Sequence, residues 1–170
     1  QKALRMVDTA NPGFDVLGDE AFDYMNEIEF PTPRRVFAIA QAIVDGVPLE
    51  VIHEKSRVDL WFLSKLRNII ALKGELVRGF GGQPASAIPE RVMRAAKARG
   101  FSDKQLASYI GATADEVRAR RHELGVLPLA KQIDTVAGEF PAQSCNYMFL
   151  SYNAQYDDVT FDERMVVVVG

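Results

Sequence analysis

The sequence contains only one cysteine, one tryptophan and two histidines, and it has no long apolar run. A single thiol, Cys145, excludes an internal disulfide framework and suits a reducing compartment. No apolar run approaches the roughly 20 residues that a helix needs to cross a bilayer, so we expect no membrane partner. His53 and His122 lack the i, i+4 spacing of a helical zinc site, and we expect no metal site.

Cys145 is the one candidate nucleophile, with His53 or His122 as its base. No motif near the thiol supports catalysis, and a thiol packed beside Tyr147 is the simpler interpretation. The glycine-rich stretch at residues 79–84 lacks the lysine and hydroxyl of a P-loop, so a plain loop is favoured there. The sequence therefore predicts no catalytic residue in this chain.

Charge is unevenly placed along the chain, although the net charge is only −3. Residues 1–33 carry two basic and seven acidic side chains, whereas residues 91–122 carry eight basic and three acidic ones. A basic patch on an acidic chain can bind nucleic acid or another protein, and most often it is a solvated helix face.

The stretch from Gly100 to Val126 predicts two short helices joined by a tight turn. Ser102 with Gln105, and Thr113 with Glu116, have the spacing of capping boxes at helix starts. Gly111 lies where the first of these helices must end, because glycine adopts positive φ without strain.

The same pattern occurs earlier in the chain. A shift of 54 residues aligns Gly46 with Gly100, and it aligns the apolar residues Ile52 with Leu106 and Leu63 with Val117. This spacing indicates an approximate internal duplication of a helical hairpin. Two copies are too few for a solenoid, so we expect one helical domain made of two similar halves.

Helical periodicity elsewhere predicts a helix after Thr32-Pro33, one opened by Pro89 and a long one from residue 60 to about residue 77. The fold class predicted is all-α, an orthogonal helical domain of about six to seven helices, with short extended segments near the C-terminus. Residues 147–152 and 165–169 are typical of strands. The candidate core residues are Trp61, Phe62, Leu63, Leu66, Phe101, Leu106 and Val117.

The pair of helices after Gly100 also fits a helix-turn-helix, which is the alternative function. Such a motif places the start of its second helix against DNA, and here that start carries Asp115 and Glu116. Because these acids and the sequence pI near 5.5 oppose DNA binding, we expect no nucleic-acid partner.

Five segments in order resemble the middle of the large synthetase chain of carbamoyl-phosphate synthetase, in its eukaryotic glutamine-dependent form. The resemblance covers essentially the whole chain, and the segment at residues 131–142 is the most specific. The segments are Leu4-Arg5-Met6-Val7, Asp59-Leu60-Trp61-Phe62-Leu63, Phe101-Ser102-Asp103-Lys104-Gln105, Lys131-Gln132-Ile133-Asp134-Thr135-Val136-Ala137-Gly138-Glu139-Phe140-Pro141-Ala142 and Asn146-Tyr147-Met148-Phe149-Leu150-Ser151-Tyr152-Asn153.

The resemblance implies a non-catalytic connector and oligomerisation domain between two ATP-grasp halves. The parent enzyme makes carbamoyl phosphate from bicarbonate, glutamine-derived ammonia and two ATP, for pyrimidine or for arginine and urea synthesis. ATP and Mg²⁺ would belong to the parent, with no cofactor in this fragment. The implied partners are the flanking halves and a possible second copy. The location would be cytoplasmic, or mitochondrial for a urea-cycle form.

The resemblance also implies limits for each segment. Residues 1–14 would be the tail of the preceding half, 15–33 an acidic linker, 34–128 the helical domain and 129–170 the connection into the next half, ending in its first strand. We expect the chain to be cut from a longer one. Arg118, Arg120 and Arg121, taken as exposed members of the basic face, are the candidate interface residues.

Overall fold

A computed structural model describes residues 1–7, 13–16, 23–133 and 147–160 of the chain. This part is mostly helical with one small sheet, which confirms the all-α class with short extended segments. Its helices are α1 Lys2–Val7, α2 Tyr24–Glu29, α3 Arg35–Val44, α4 Leu49–Ser56, α5 Leu60–Phe80, α6 Glu90–Ala98, α7 Asp103–Ile110 and α8 Ala114–Glu123, and its strands are β1 Leu129–Gln132 and β2 Met148–Ser151.

The internal duplication is confirmed at the level of helix boundaries. A shift of 54 residues places both ends of α4 on those of α7, and the first residue of α5 on that of α8. α3 and α6 end alike, because Gly46 and Gly100 each follow with positive φ, at +78° and +85°. The next residue, Val47 or Phe101, donates its amide proton to a carbonyl five residues back, at 2.9 and 3.1 Å.

The caps of α7 and α8 follow the sequence with one exception, whereas α3 begins at Arg35, two residues beyond the predicted start at Thr32-Pro33, with no side-chain cap. Thr113 and Glu116 form the complete reciprocal capping box, and Gly111 ends α7 with φ of +78°. Ser102 accepts the amide proton of Gln105 at 3.0 Å. The Gln105 side chain makes no hydrogen bond to the backbone amide of Ser102, because Gln105 Oε1 instead accepts a hydrogen bond from Arg5 at 3.0 Å. The second half of that predicted capping box is therefore wrong.

The described residues form two hydrophobic cores, one in each half of the duplication. The first contains Ile52 and Leu63, and the second contains Leu106 and Val117, all of them 0% exposed. Helix α5 belongs to both, since Leu63 packs in the first core, Leu76 in the second, and Ile69 against each. At 21 residues this helix is about 30 Å long.

Two predicted core residues lie outside the cores. Trp61 is 60% exposed and Phe62 is 59% exposed. The neighbouring Leu63 is fully buried and Leu66 is half-buried, so the inward face of α5 is already occupied one residue further along. Apolar residues surround the first turn of this helix, and its periodicity alone therefore does not identify the buried face.

The first core also includes residues from the predicted tail and linker. Phe14 is 1% exposed and Ile28, in α2, is 0% exposed. Their burial joins these segments to the helices that follow. The domain limits themselves stay a prediction.

The small sheet is an antiparallel pair in which Leu129 lies opposite Ser151 and Gln132 opposite Met148. The second strand matches the predicted extended segment, whereas the first was not predicted. Cys145 and the predicted strand at residues 165–170 lie outside the described residues. Among the described helices, none combines the length and apolarity needed to cross a membrane.

We expect Leu63→Ala to lower the free energy of unfolding by about 2–5 kcal/mol, because it removes a fully buried side chain. Trp61→Ala should cost less than about 1 kcal/mol, because its ring is mostly in solvent. Urea denaturation of both variants measures the difference. Equal losses would contradict the placement of Trp61.

Candidate functional site

The turn between α6 and α7 brings three parts of the chain together. Gly100 gives this turn its left-handed residue, with φ of +85°. A Cβ at this position would lie 3.2 Å from the Cβ of Gln1, so glycine also allows the N-terminal segment to approach closely. Phe101 follows and is 1% exposed, which anchors the turn in the second core.

Two buried cations and a half-buried carboxylate lie beside this turn. The Asp103 carboxylate accepts hydrogen bonds from Lys97 Nζ at 2.7 Å and from Arg121 Nε at 3.3 Å. Lys97 also donates to the carbonyl of Phe101, and Arg121 to that of Val126. One carboxylate thus serves two cations. Burial lowers the pKa of Lys97 below its ordinary value, although Asp103 acts in the opposite direction.

The C-terminal side reaches this cluster through the residues after β2. The Tyr152 ring lies 5.1 Å from Lys97 Nζ and 5.8 Å from the Arg121 guanidinium carbon. An aromatic face attracts cations at such distances, and the attraction is larger when they are desolvated. Asn153 then donates from Nδ2 to the carbonyl of Ala98 at 3.0 Å. The sheet is therefore tied to the ends of α6 and α8.

The N-terminal side reaches the same turn from α1. Arg5 donates to the carbonyl of Gly100 and to Gln105 Oε1, both at 3.0 Å. Gln105 Nε2 donates in turn to the Tyr109 hydroxyl at 3.2 Å. The first helix is thereby held at the start of α7.

Tyr109 joins a second polar contact of the N-terminal segment. Its hydroxyl donates to Asp15 Oδ2 at 2.9 Å, and Lys73 of α5 is also paired with Asp15. Burial raises the pKa of Tyr109 above its ordinary value, and the Asp15 charge adds to the effect. The contact connects the N-terminal segment to α5 and α7 together.

A cleft of about 440 Å³ separates these two attachments. Its walls come from Lys2 and Arg5 on the N-terminal side, from the turn, and from Leu150 and Tyr152 on the C-terminal side. Segments from the N-terminal and the C-terminal parts of the chain therefore face the same short turn.

The predicted arginine face is divided among three environments. Arg118 is 58% exposed and pairs with Asp115. Arg120 is only 23% exposed and donates to the carbonyl of Ile88, and Arg121 is 9% exposed within the buried cluster. The description of all three as exposed is therefore wrong, because successive residues of a helix point in different directions. Their role in an interface stays a prediction.

The sequence did not identify Asp103, Tyr152 and Arg5 as the residues that connect separate parts of the chain at the α6–α7 turn. Local patterns place Asp103 within a helix start and Tyr152 within a strand, and neither pattern indicates a contact between them. Asp103 lies 18 residues from Arg121, so local spacing carries no sign of their contact. One signal in the sequence indicates such a contact, namely that the Asp103 carboxylate lies in the most basic region of the chain.

The DNA-binding alternative finds little support in this geometry. Glu116 at the start of α8 is held in the capping box, and hydrogen bonding to Thr113 lowers its pKa, so a negative charge stays where DNA would approach. Arg120 and Arg121 make contacts inside the domain. Among the described residues, no group of three or more His, Cys, Asp or Glu side chains could hold a metal ion.

Comparison with known proteins gives a family match over most of the chain. Residues 1–125 match the family model described as carbamoyl-phosphate synthetase large chain, oligomerisation domain. The chain is 40% identical over 171 residues to the multifunctional protein pyr1-3 of Dictyostelium discoideum. It is 41% identical over 170 residues to the multifunctional protein CAD of Squalus acanthias. It is also 41% identical over 171 residues to the mitochondrial arginine-specific carbamoyl phosphate synthase large chain of Neurospora crassa.

Each of these alignments covers the whole of this chain but little of the relative. The chain spans 7% of the Dictyostelium and Squalus proteins and 14% of the Neurospora protein. Most of the length of each relative therefore lies outside the region that this chain matches.

We expect Asp103→Ala to lower the free energy of unfolding by about 3–5 kcal/mol, because it leaves two buried cations without their carboxylate. Glu90→Ala, which breaks only an exposed ion pair with Arg94, should cost less than about 1 kcal/mol. Urea denaturation measures both. A small loss for Asp103→Ala would mean that solvent already reaches the cluster.

Alkaline unfolding should depend on Tyr109. Its pKa is raised in the folded chain, so above pH 10 the unfolded tyrosine releases a proton that the folded one keeps. Stability from this residue is therefore present below pH 10 and is lost as pH rises. The original chain should have a higher free energy of unfolding than Tyr109→Phe below pH 10. Urea denaturation should show this difference falling by up to about 1 kcal/mol per pH unit above pH 10. A constant difference would contradict the raised pKa.

Proposed function

The chain belongs to the carbamoyl-phosphate synthetase large-chain family, as its oligomerisation domain, and from this premise we propose that it is a rigid connector between flanking domains of a longer chain. The observation that carries the proposal is the convergence of an N-terminal and a C-terminal segment on one turn. Arg5 binds that turn at Gly100, and Asn153 binds it at Ala98, two residues away.

A connector of this kind fixes direction as well as distance. A flexible linker would let its two ends sample many separations and orientations. Here Arg5 holds α1, and Tyr152 packs against two buried cations. Because both segments are held against the same turn, the direction of α1 is fixed relative to that of the residues after β2.

The catalytic activity belongs, in this proposal, to the flanking regions. They would form carbamoyl phosphate from bicarbonate, glutamine-derived ammonia and two ATP, and would bind the ATP and Mg²⁺. The domain would keep a constant separation between two sites that exchange a labile intermediate. The parent would serve pyrimidine synthesis in the cytoplasm, or arginine and urea synthesis in the mitochondrion.

We also propose that the domain contributes to self-association, which the name of its family supports. Arg118 is the member of the predicted interface that keeps most of its side chain in solvent. A basic side chain at an interface rim contributes a salt-dependent attraction.

The connector is tested in the complete large chain with the double variant Arg5→Ala, Tyr152→Ala. We expect overall carbamoyl phosphate formation to fall at least about tenfold, while ATP hydrolysis by each half is retained, because transfer needs both sites held in place. Arg94→Ala, at an exposed ion pair, is the control. Equal loss of the partial reactions and of the overall reaction would indicate general damage rather than uncoupling.

Self-association is tested by sedimentation equilibrium of the 170-residue chain at low and high salt. We expect a concentration-dependent dimer that high salt and Arg118→Ala both weaken, because exposed charge pairs are screened. A monomer at every concentration would assign assembly of the parent to other domains.

A further inference from the structure

An aromatic patch on the first turn of α5 is left in solvent. Leu60, Trp61 and Phe62 are 39%, 60% and 59% exposed. The two rings are in edge-to-face contact with centroids 5.0 Å apart, and Lys65 Nζ lies 4.9 Å from the Trp61 ring centroid. Contact with neighbouring side chains therefore restrains both rings while leaving much of their surface accessible.

The internal duplication shows that the fold does not require aromatic residues here. Trp61 and Phe62 correspond, 54 residues later, to Asp115 and Glu116 in the first turn of α8. Those acids are exposed, and carboxylates stabilise the start of a helix through its dipole. The first copy instead has two large apolar side chains at equivalent solvent-facing positions, which indicates a contact outside the domain.

The carboxylate next to the patch, Asp59, is held by its N-cap hydrogen bond from Trp61 N, so the basic residues nearby indicate the chemistry of the partner. Arg57 and Lys65 lie close to it in sequence, both are exposed, and neither forms an ion pair within the described part of the chain. An apolar surface with an acidic rim would complement the rings and these cations.

The size of the patch favours a partner in the same polypeptide. Aromatic side chains bury about 150–250 Å² each, so two or three residues provide far less than the roughly 800 Å² per partner of a stable interface. A covalently attached surface has an effective concentration in the millimolar range, and a small contact is then sufficient. The relatives carry the remaining 86–93% of their length outside the matched region.

We propose that Leu60, Trp61 and Phe62 are the docking surface for a flanking domain of the same large chain, through an apolar area with an acidic rim. This inference rests on the proposed function in one respect, namely that the domain is joined to flanking domains. Trp61 lies 12 residues along α5 from Lys73, which pairs with Asp15, or about 18 Å of helix. Contact at the patch would therefore hold the flanking domain at a point well away from the attachment of the chain ends.

The test compares the double variant Trp61→Ser, Phe62→Ser with the control Val44→Ser, Val77→Ser, whose valines are 50% and 43% exposed. Hydrogen exchange is measured for both in the complete large chain and in the 170-residue chain. In the complete chain, we expect exchange at residues 58–64 to be at least about tenfold slower than in the 170-residue chain, and the patch variant to abolish that difference. The control should retain it.

Two outcomes would overturn the proposal. Equal exchange at residues 58–64 in the complete and the 170-residue chains would mean that nothing covers the patch. A dimer of the 170-residue chain that only the patch variant dissociates would make a second copy the occupant. The connector is judged separately, from overall and partial reactions of the Arg5 and Tyr152 variant, so either proposal can fail without the other.

Discussion

The shared helix α5 is the constraint on which the arrangement of the two halves depends. Leu63 packs in the first core and Leu76 in the second, with Ile69 against both. Because one continuous helix carries all three, the cores cannot rotate independently without breaking its backbone hydrogen bonds. The copy of this helix in the second half, α8, has only 10 residues, against 21 in α5. The extra turns carry α5 from its own core into the other.

The polar contacts at the α6–α7 turn connect this rigid pair of cores to the ends of the chain. Their geometry is specific because each cation has limited alternatives once it is buried. Asp103 fixes Lys97 and Arg121, and the two cations then form the surface on which Tyr152 lies. Two buried cations sharing one half-buried carboxylate are a costly arrangement, since desolvation opposes the attraction. The arrangement fixes the orientation of Tyr152 against the two cations, which a purely apolar contact would define less well.

Much of the fold could be predicted from local sequence, because the signals that end and begin helices are local. Gly46 and Gly100 mark equivalent helix ends, and Thr113 marks a helix start through its own hydroxyl. The duplication then relates one half to the other without any long-range information.

The residues whose positions depend on contacts between helices could not be predicted in the same way. Whether Trp61 or Leu63 faces inward depends on the helices packed against α5, and the apolar first turn fits either orientation. Arginine is usually exposed, and the burial of Arg121 depends on a carboxylate in another helix. Tyr152 approaches that cluster from outside the duplicated region. Their positions follow from tertiary contacts rather than from spacing.

The division of the cores at Ile69 also sets an order for folding during synthesis. The first core draws its side chains from residues 4–70 and the second mainly from residues 69–126, so each forms from a contiguous length of chain. Contacts that are close in sequence form quickly, and the N-terminal unit emerges from the ribosome first. Leu72 and Leu76 belong to the second core, so they cannot pack there until Phe101 and Leu106 have been synthesised. For that interval the part of α5 that belongs to the second core lacks its later packing partners.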